Sequence, residues 1–271
     1  YLNVRNGNNI NVTGFDVRDM SNLSCITTDD VQSDLMIGYS NGISFSPDCG
    51  TVLIPDENFE QALLDQGIDT DGALNHLITR VDAEAQTGWL GVSGRNISDL
   101  TGIEAFVKIT DLQAGDNQLT KIDVSQNTEL LKLWVYFNQL TALDLTNNTK
   151  IQRLSAGGNQ ISSFDSSSLI DMHTLLIWQN SLTSLDLTNN VNLTWLSAQN
   201  NQLTDVNIDS NILLDRIELQ SNVLPSISLA NNVNTTSLFL SDNPLNTIDI
   251  TANTKLLDFR IDRTGVSSLD L

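Results

Sequence analysis

The stretch that decides the fold runs from Leu112 to Asp123 and reads LQAGDNQLTKID. Its asparagine returns every 21 residues through the rest of the chain. The series is Asn117, Asn138, Asn159, Asn180, Asn201, Asn222 and Asn243, with Thr264 at the next position. A fixed period of this length is the signature of a solenoid, in which each repeat forms one coil and buries its apolar face against its neighbours.

The pattern within a repeat predicts a strand, a turn and a short return segment. In the repeat that begins at Leu133, apolar residues alternate through Leu133 and Val135, which is strand periodicity, and Leu140 is also directed inward. The turn between them leaves backbone groups without strand partners, and a carboxamide can donate to and accept from such groups. We therefore expect the asparagines to stack and to bond the turns of neighbouring coils.

The pattern LxxLxLxxNxL resembles the leucine-rich repeat family. The stretch from Asn138 to Ile151, the segment TVLIPDENFEQALLDQGIDTDG (51–72) and the segment ISDLTGIEAF (97–106) are similar to the 21-residue-repeat class of secreted bacterial cell-surface proteins. The resemblance implies a leucine-rich repeat solenoid with a parallel β-sheet on its concave face and short turn-like or extended segments on its convex face. It also implies an extracellular or cell-surface binding or adhesion scaffold rather than an enzyme.

Breaks in the repeat divide the chain into three parts. Residues 1–50 are interpreted as the last repeat and C-terminal cap of a preceding array, because Ile26 stands where Leu154 stands in the main array. Residues 51–88 are predicted to form a helical N-terminal cap of the next array. Residues 89–271 are the array proper, truncated at its end, so we expect the chain to be a piece of a longer protein with further domains.

The two cysteines, Cys25 and Cys49, lie in the first part. A disulfide between them is the simplest interpretation and implies an oxidising compartment, with two unrelated free thiols as the alternative. From residue 27 to residue 50 the repeat pattern is lost, and we expect this segment to cover the open end of the preceding array with Tyr39, Ile43 and Phe45.

The cap contains a helix signal and a weak metal signal. Asp56 is a helix N-cap, and Phe59 lies on the apolar face of the helix that follows. After the helix, Asp69 and Asp71 form a DxDG run that resembles the start of a calcium loop, but the twelfth position holds Arg80 instead of an acid. A solvated turn is the favoured interpretation; no cofactor is predicted, and calcium remains the alternative.

Composition excludes several functions. The net charge of −20 argues against nucleic acid and against an anionic membrane surface, and no apolar run is long enough for membrane insertion. The sequence contains no acid–base pair, no nucleophile beside a base, no phosphate loop and no Cys/His cluster. We therefore expect no enzymatic activity. Acids recur in the second half of the repeat, beginning at Asp123, Asp144 and Asp165, and are expected to cap local turns, with cation binding as the alternative.

The outward strand positions carry the functional signal, because the fold does not require them to be apolar. All four tryptophans fall on this face. Bulky side chains on two strands are predicted to flank small residues on the strand between them and so to form a slot. The expected ligand-binding residues are Lys132, Trp134, Tyr136, Phe137, Arg153, Ser155, Gly157, Leu176, Trp178, Trp195 and Arg216.

Aromatic walls beside cations suit a glycan, possibly anionic, or a protein ligand. The alternative is that the aromatics cover one another or pack on another domain. A structural spacer within a large multidomain surface protein is the competing function, although a spacer has no need of such a slot.

Overall fold

A computed structural model describes residues 2–3, 25–27, 44–46 and 50–268, the first three ranges by their backbone alone. Its main feature is a parallel sheet of nine strands, one for each successive repeat. These strands are β6 (Gly88–Gly91), β7 (Ile109–Gln113), β8 (Lys132–Trp134), β9 (Arg153–Ser155), β10 (Thr174–Leu176), β12 (Trp195–Ser197), β14 (Arg216–Glu218), β15 (Ser237–Phe239) and β16 (Asp258–Arg260). Leu133 pairs with Leu154, and Leu154 with Leu175, so each repeat lies in register with the next. The predicted solenoid is confirmed.

A separate three-stranded parallel sheet contains β1 (Leu2–Asn3), β2 (Cys25–Thr27) and β3 (Ser44–Ser46). Ile26 pairs with Leu2, as its match to Leu154 predicts. Ile26 also pairs with Phe45, so the expectation that the pattern ends before Phe45 is wrong: β3 continues the same sheet. The proposed Cys25–Cys49 disulfide, like Tyr39 and Ile43, lies outside the described side chains.

The predicted cap helix is α1 (Glu57–Asp65), followed by a shorter helix, α2 (Arg80–Ala85), that the sequence pattern does not reveal. The Asp56 carboxylate accepts hydrogen bonds from the backbone N–H groups of Asn58 and Phe59, which satisfies donors at the start of α1. Phe59 is fully buried, and its ring centroid lies 6.3 Å from that of Phe106. The cap also contains an antiparallel pair, β4 (Thr51–Leu53) and β5 (Leu77–Thr79), and a 3₁₀ turn follows at Ile103–Ala105.

The asparagine series bonds the turns as expected. In a typical coil, Asn138 Nδ2 donates to the carbonyl of Ala114 in the preceding coil at 2.9 Å, and Asn138 Oδ1 accepts from the backbone N–H of Leu119 at 2.9 Å. Because these backbone groups are buried, the side chain supplies partners that water cannot.

The convex side consists mostly of turns, with two short paired strands, β11 (Ser184–Asp186) and β13 (Asp205–Asn207). A second asparagine series, which sequence analysis missed, is fully buried beneath these turns; Asn148 Nδ2 donates to the carbonyls of Val124 and Asn127. One repeat departs from this series, because Leu169 stands at the asparagine position. In that repeat the hydroxyl of Ser166 donates a hydrogen bond to Asn190 Oδ1.

The acidic column on the convex side caps turns locally, as the favoured interpretation states. Asp144 Oδ1, for example, accepts bonds from the hydroxyl and the backbone N–H of Thr146 at 2.6 and 3.0 Å. These bonds lower the pKa of Asp144, and equivalent bonds lower the pKa of Asp186. No helix in the described ranges is long and apolar enough to cross a bilayer.

Candidate functional site on the concave face

The concave face brings most of the predicted site residues onto neighbouring strands. Trp134 lies on β8 and pairs in register with Ser155 on β9, which pairs with Leu176 on β10. Because side chains alternate across a strand, these residues share a face with Lys132 and Arg153 while the leucines between them enter the core.

Three aromatic residues, Tyr136, Phe137 and Trp178, form what we call the aromatic cluster. The ring centroids of Tyr136 and Phe137 are 5.9 Å apart at 80°, and those of Phe137 and Trp178 are 5.1 Å apart at 73°. Both are edge-to-face contacts, each contributing about 0.5–1.5 kcal/mol beyond simple burial. The cluster joins two repeats that are not adjacent, because a glycine-rich repeat lies between them.

The predicted open slot is wrong, because the rings lie on the glycines that were expected to form its floor. A Cβ on Gly157 would stand 2.2 Å from Cε2 of Trp178, and one on Gly158 would stand 2.4 Å from Cδ1 of Phe137. Gly157 is therefore covered, and Ser155 is only 4% exposed. The site is a raised aromatic patch rather than a cleft.

Phe137 occupies a backbone conformation that aromatic residues rarely adopt. Its φ is +47°, in the left-handed region. The equivalent positions of the other repeats are also left-handed and hold Gly94, Asp116, Gly158, Gln179, Asn200, Ser221, Asp242 and Arg263. Such a conformation costs a bulky residue on the order of 1 kcal/mol or more, whereas glycine and asparagine tolerate it. Phe137 as a whole residue is 48% exposed, so its contacts within the protein do not fully explain why an aromatic residue stands at this position.

The predicted cations differ in how they are paired. The Lys132 ammonium lies 3.2 Å from a carboxylate oxygen of Asp111. The Arg216 guanidinium binds the buried carboxylate of Glu218 and also lies 5.4 Å from the ring of Trp195. Arg153 is exposed and makes no ion pair within the described part of the chain.

Farther along the sheet, the face is closed by its own contacts. Phe239, which stands at an outward strand position, is only 7% exposed, because the guanidinium groups of Arg216 and Arg260 cover its ring at 5.3 and 4.5 Å. Arg260 is in turn held by Asp258 at 3.0 Å. The outward pattern predicts which residues share this face but not that cations cover one of the rings.

The weak metal candidates lie in the cap, in a group of carboxylates. Asp69 is buried, whereas Asp71 is exposed and accepts the backbone N–H of Ala73. Burial raises the pKa of Asp69 to about 6, and the charges of Asp71, Glu60 and Asp82 act in the same direction. Glu60, which sequence analysis missed, is fully buried, and one oxygen of each buried carboxylate has no hydrogen-bond partner. Within the described ranges, no three His, Cys, Asp or Glu side chains are placed to hold a metal ion.

Three solved structures show what this fold is similar to. The functional domain of InlJ from Listeria monocytogenes is 27% identical with a TM-score of 0.67, and the match covers 83% of this chain and 55% of that one. Internalin C2 from Listeria monocytogenes is 20% identical with a TM-score of 0.66, covering 81% and 97%. A leucine-rich repeat protein of Leptospira interrogans is 19% identical with a TM-score of 0.55, covering 66% and 55%.

These neighbours confirm the resemblance to bacterial leucine-rich repeat proteins. This chain spans just over half the length of the InlJ domain that it matches. No family model and no curated protein matches the sequence.

Proposed function

We propose that this chain, a leucine-rich repeat solenoid with the fold of bacterial internalins, is a non-enzymatic module that binds a protein partner through its concave face. We place it outside the cell or at the cell surface, on the strength of the family resemblance and the proposed Cys25–Cys49 disulfide. Its acidic surface suits neither nucleic acid nor an anionic membrane.

The observation that carries this proposal is the backbone of Phe137. The left-handed position recurs in every described repeat of the array and holds glycine or a polar residue in the others, whereas here it holds a half-exposed aromatic ring. Strain of this kind is retained where surrounding structure or function requires it. A spacer has no use for such a ring, whereas aromatic residues with tryptophan and arginine beside them are typical of protein-interface hot spots.

A protein is favoured over a glycan because of the shape of the aromatic cluster. Trp178 and Tyr136 lie against Gly157 and Gly115, and their contacts with Phe137 are edge-to-face. These contacts leave a raised patch and no cleft between parallel ring faces. A protein surface or an extended peptide can pack on such a patch.

The test is a selection from a random 12-residue peptide library displayed on phage, with the purified chain immobilised. Trp178→Ala and Phe137→Asn should each weaken recovered binders by about tenfold or more, the size of effect found at interface hot spots. Phe137→Asn is the sharper variant, because asparagine accepts the left-handed backbone that Phe137 adopts. Gln179→Asn is the matched control at the equivalent position of a later repeat, where φ is +50°.

Binding that is unchanged in both ring variants would refute the proposed surface. A parallel glycan array with the same proteins separates the two ligand classes. Glycan binding that depends on Trp178, with no peptide recovered, would replace the protein partner by a carbohydrate.

A further inference from the structure

We infer that Arg153 is the anchor for an acidic side chain of the protein partner, an inference that rests on the proposed concave-face function. The outward positions of the described repeats hold five cationic side chains: Lys132, Arg153, Arg216, Arg260 and Arg263. Four of them already have a carboxylate partner within the described part of this chain, and Arg153 does not.

The pairing of the other four is direct. Lys132 binds Asp111 and Arg216 binds Glu218, while Arg260 binds Asp258 at two hydrogen bonds of 3.0 and 3.2 Å. Arg263 binds both Asp242 and Asp262. A partner that approached any of these would compete with an existing ion pair and gain little net attraction.

Arg153 is placed differently. Its register neighbours are Lys132, already paired, and Thr174, which carries no charge. The guanidinium is exposed and always charged, and it offers a planar fork of donors that fits a carboxylate with two parallel bonds. On a face whose remaining cations are neutralised by their neighbours, Arg153 is the point at which an added anion meets an uncompensated positive charge.

The spacing from Arg153 to the aromatic cluster defines the partner further. Gly157, on which Trp178 rests, is the fourth residue after Arg153, and at the rise of a strand the two positions lie about 13 Å apart. We expect the partner to present an aspartate or glutamate and an apolar side chain at this separation. In an extended peptide that corresponds to about four residues.

The net charge of −20 does not exclude an acidic contact. Charges separated by more than a Debye length, about 8 Å at physiological ionic strength, are largely screened. At contact distance the local guanidinium therefore outweighs the distant carboxylates. Because the surrounding charge repels an acidic ligand at long range, binding should strengthen as salt is raised from low to physiological concentration and weaken only at higher salt.

The test repeats the peptide-phage selection at physiological ionic strength, followed by affinity measurements on the chemically synthesised binders. Peptides recovered on the unmodified chain should be enriched in aspartate or glutamate about four residues from an apolar residue. Arg153→Gln should weaken these peptides by about tenfold, and Arg153→Lys should weaken them less, because it keeps the charge and loses the fork. Lys121→Gln removes one exposed charge outside the sheet and should have no effect.

The outcomes separate this inference from the proposed function. Peptides that depend on Trp178 and Phe137 but bind Arg153→Gln as tightly as the unmodified chain would overturn the role of Arg153 and leave the concave-face function standing. Peptides that are indifferent to all three residues, or a selection that recovers none, would overturn both.

Discussion

Replacing Asn138 by alanine should destabilise the solenoid more than the same replacement at a buried asparagine on the convex side. Asn138 Nδ2 donates to the carbonyls of Ala114 and Val135 at 2.9 and 3.1 Å, and Oδ1 accepts from the N–H of Leu119 at 2.9 Å. Asn138 is 8% exposed, so the alanine variant leaves the Leu119 N–H buried without a partner, whereas the two carbonyls keep bonds from Asn117 Nδ2 and Asn159 Nδ2. At about 1–3 kcal/mol for the unsatisfied N–H and about 0.5–1.5 kcal/mol for each of the two lost bonds to carbonyls, we expect a loss of about 4 kcal/mol.

The convex comparison is Asn148. Its Nδ2 donates to the carbonyls of Val124 and Asn127 at 2.8 and 3.1 Å, but its buried Oδ1 has no hydrogen-bond partner. Asn148→Ala therefore removes one bond from each of two carbonyls, which keep their bonds from the Asn127 and Leu130 N–H groups, and it removes one oxygen that was already unsatisfied. At about 0.5–1.5 kcal/mol for each lost bond, with no N–H group left unpaired, we expect a loss of about 2 kcal/mol.

Urea unfolding followed by tryptophan fluorescence measures both values, and the exposed neighbour Asn147→Ala serves as the control with no expected change. The side-chain volume removed is the same at Asn138 and Asn148, so differences in cavity cost largely cancel. An Asn138→Ala variant that is as stable as Asn148→Ala would refute the hydrogen-bond reasoning.

Three further predictions concern the site and the cap. Gly157→Ala should displace the Trp178 ring, because the new methyl group would lie 2.2 Å from Cε2 of that ring. We expect both the near-ultraviolet circular dichroism signal of the cluster and the affinity for peptide to fall. Gly265→Ala, outside the cluster, serves as the control for binding. Because the folded-state pKa of Asp69, about 6, exceeds the ordinary aspartate value of 3.8, stability should fall as pH rises from 4 to 6, by about 3 kcal/mol for this group alone. Asp69→Asn should flatten that pH dependence, and an unchanged profile of stability against pH would contradict this prediction. In a separate experiment, a rise in stability on adding calcium at pH 7.5 that Asp69→Asn abolishes would favour the metal alternative.

Much of the fold follows from spacing alone. The 21-residue recurrence of Asn138 and its equivalents predicts the coil, and the alternation of Leu133 and Val135 predicts the strand. Both signals are strong because the same pattern recurs in each repeat. The second series, represented by Asn148, escapes notice because consecutive asparagines at Asn147 and Asn148 read as an ordinary polar turn, although one is exposed and the other fully buried.

The candidate site was predictable only in part. The period identifies Tyr136, Phe137 and Trp178 as members of one face, because side-chain alternation is a property of the local backbone. It cannot give the direction in which a ring leans, which depends on rotamers selected by neighbouring coils. The expected slot at Gly157 is therefore filled by Trp178.

The sequence by itself determined the solenoid, its register and the set of residues on the concave face, because these depend on periodic burial that every repeat reports independently. Only the tertiary structure decided which of those residues remain available to a partner. The charge of Arg216 is compensated by Glu218, whereas Arg153 has no acid beside it on the concave face. That distinction depends on contacts between side chains, and in the sequence both residues are arginines at the same position of the repeat.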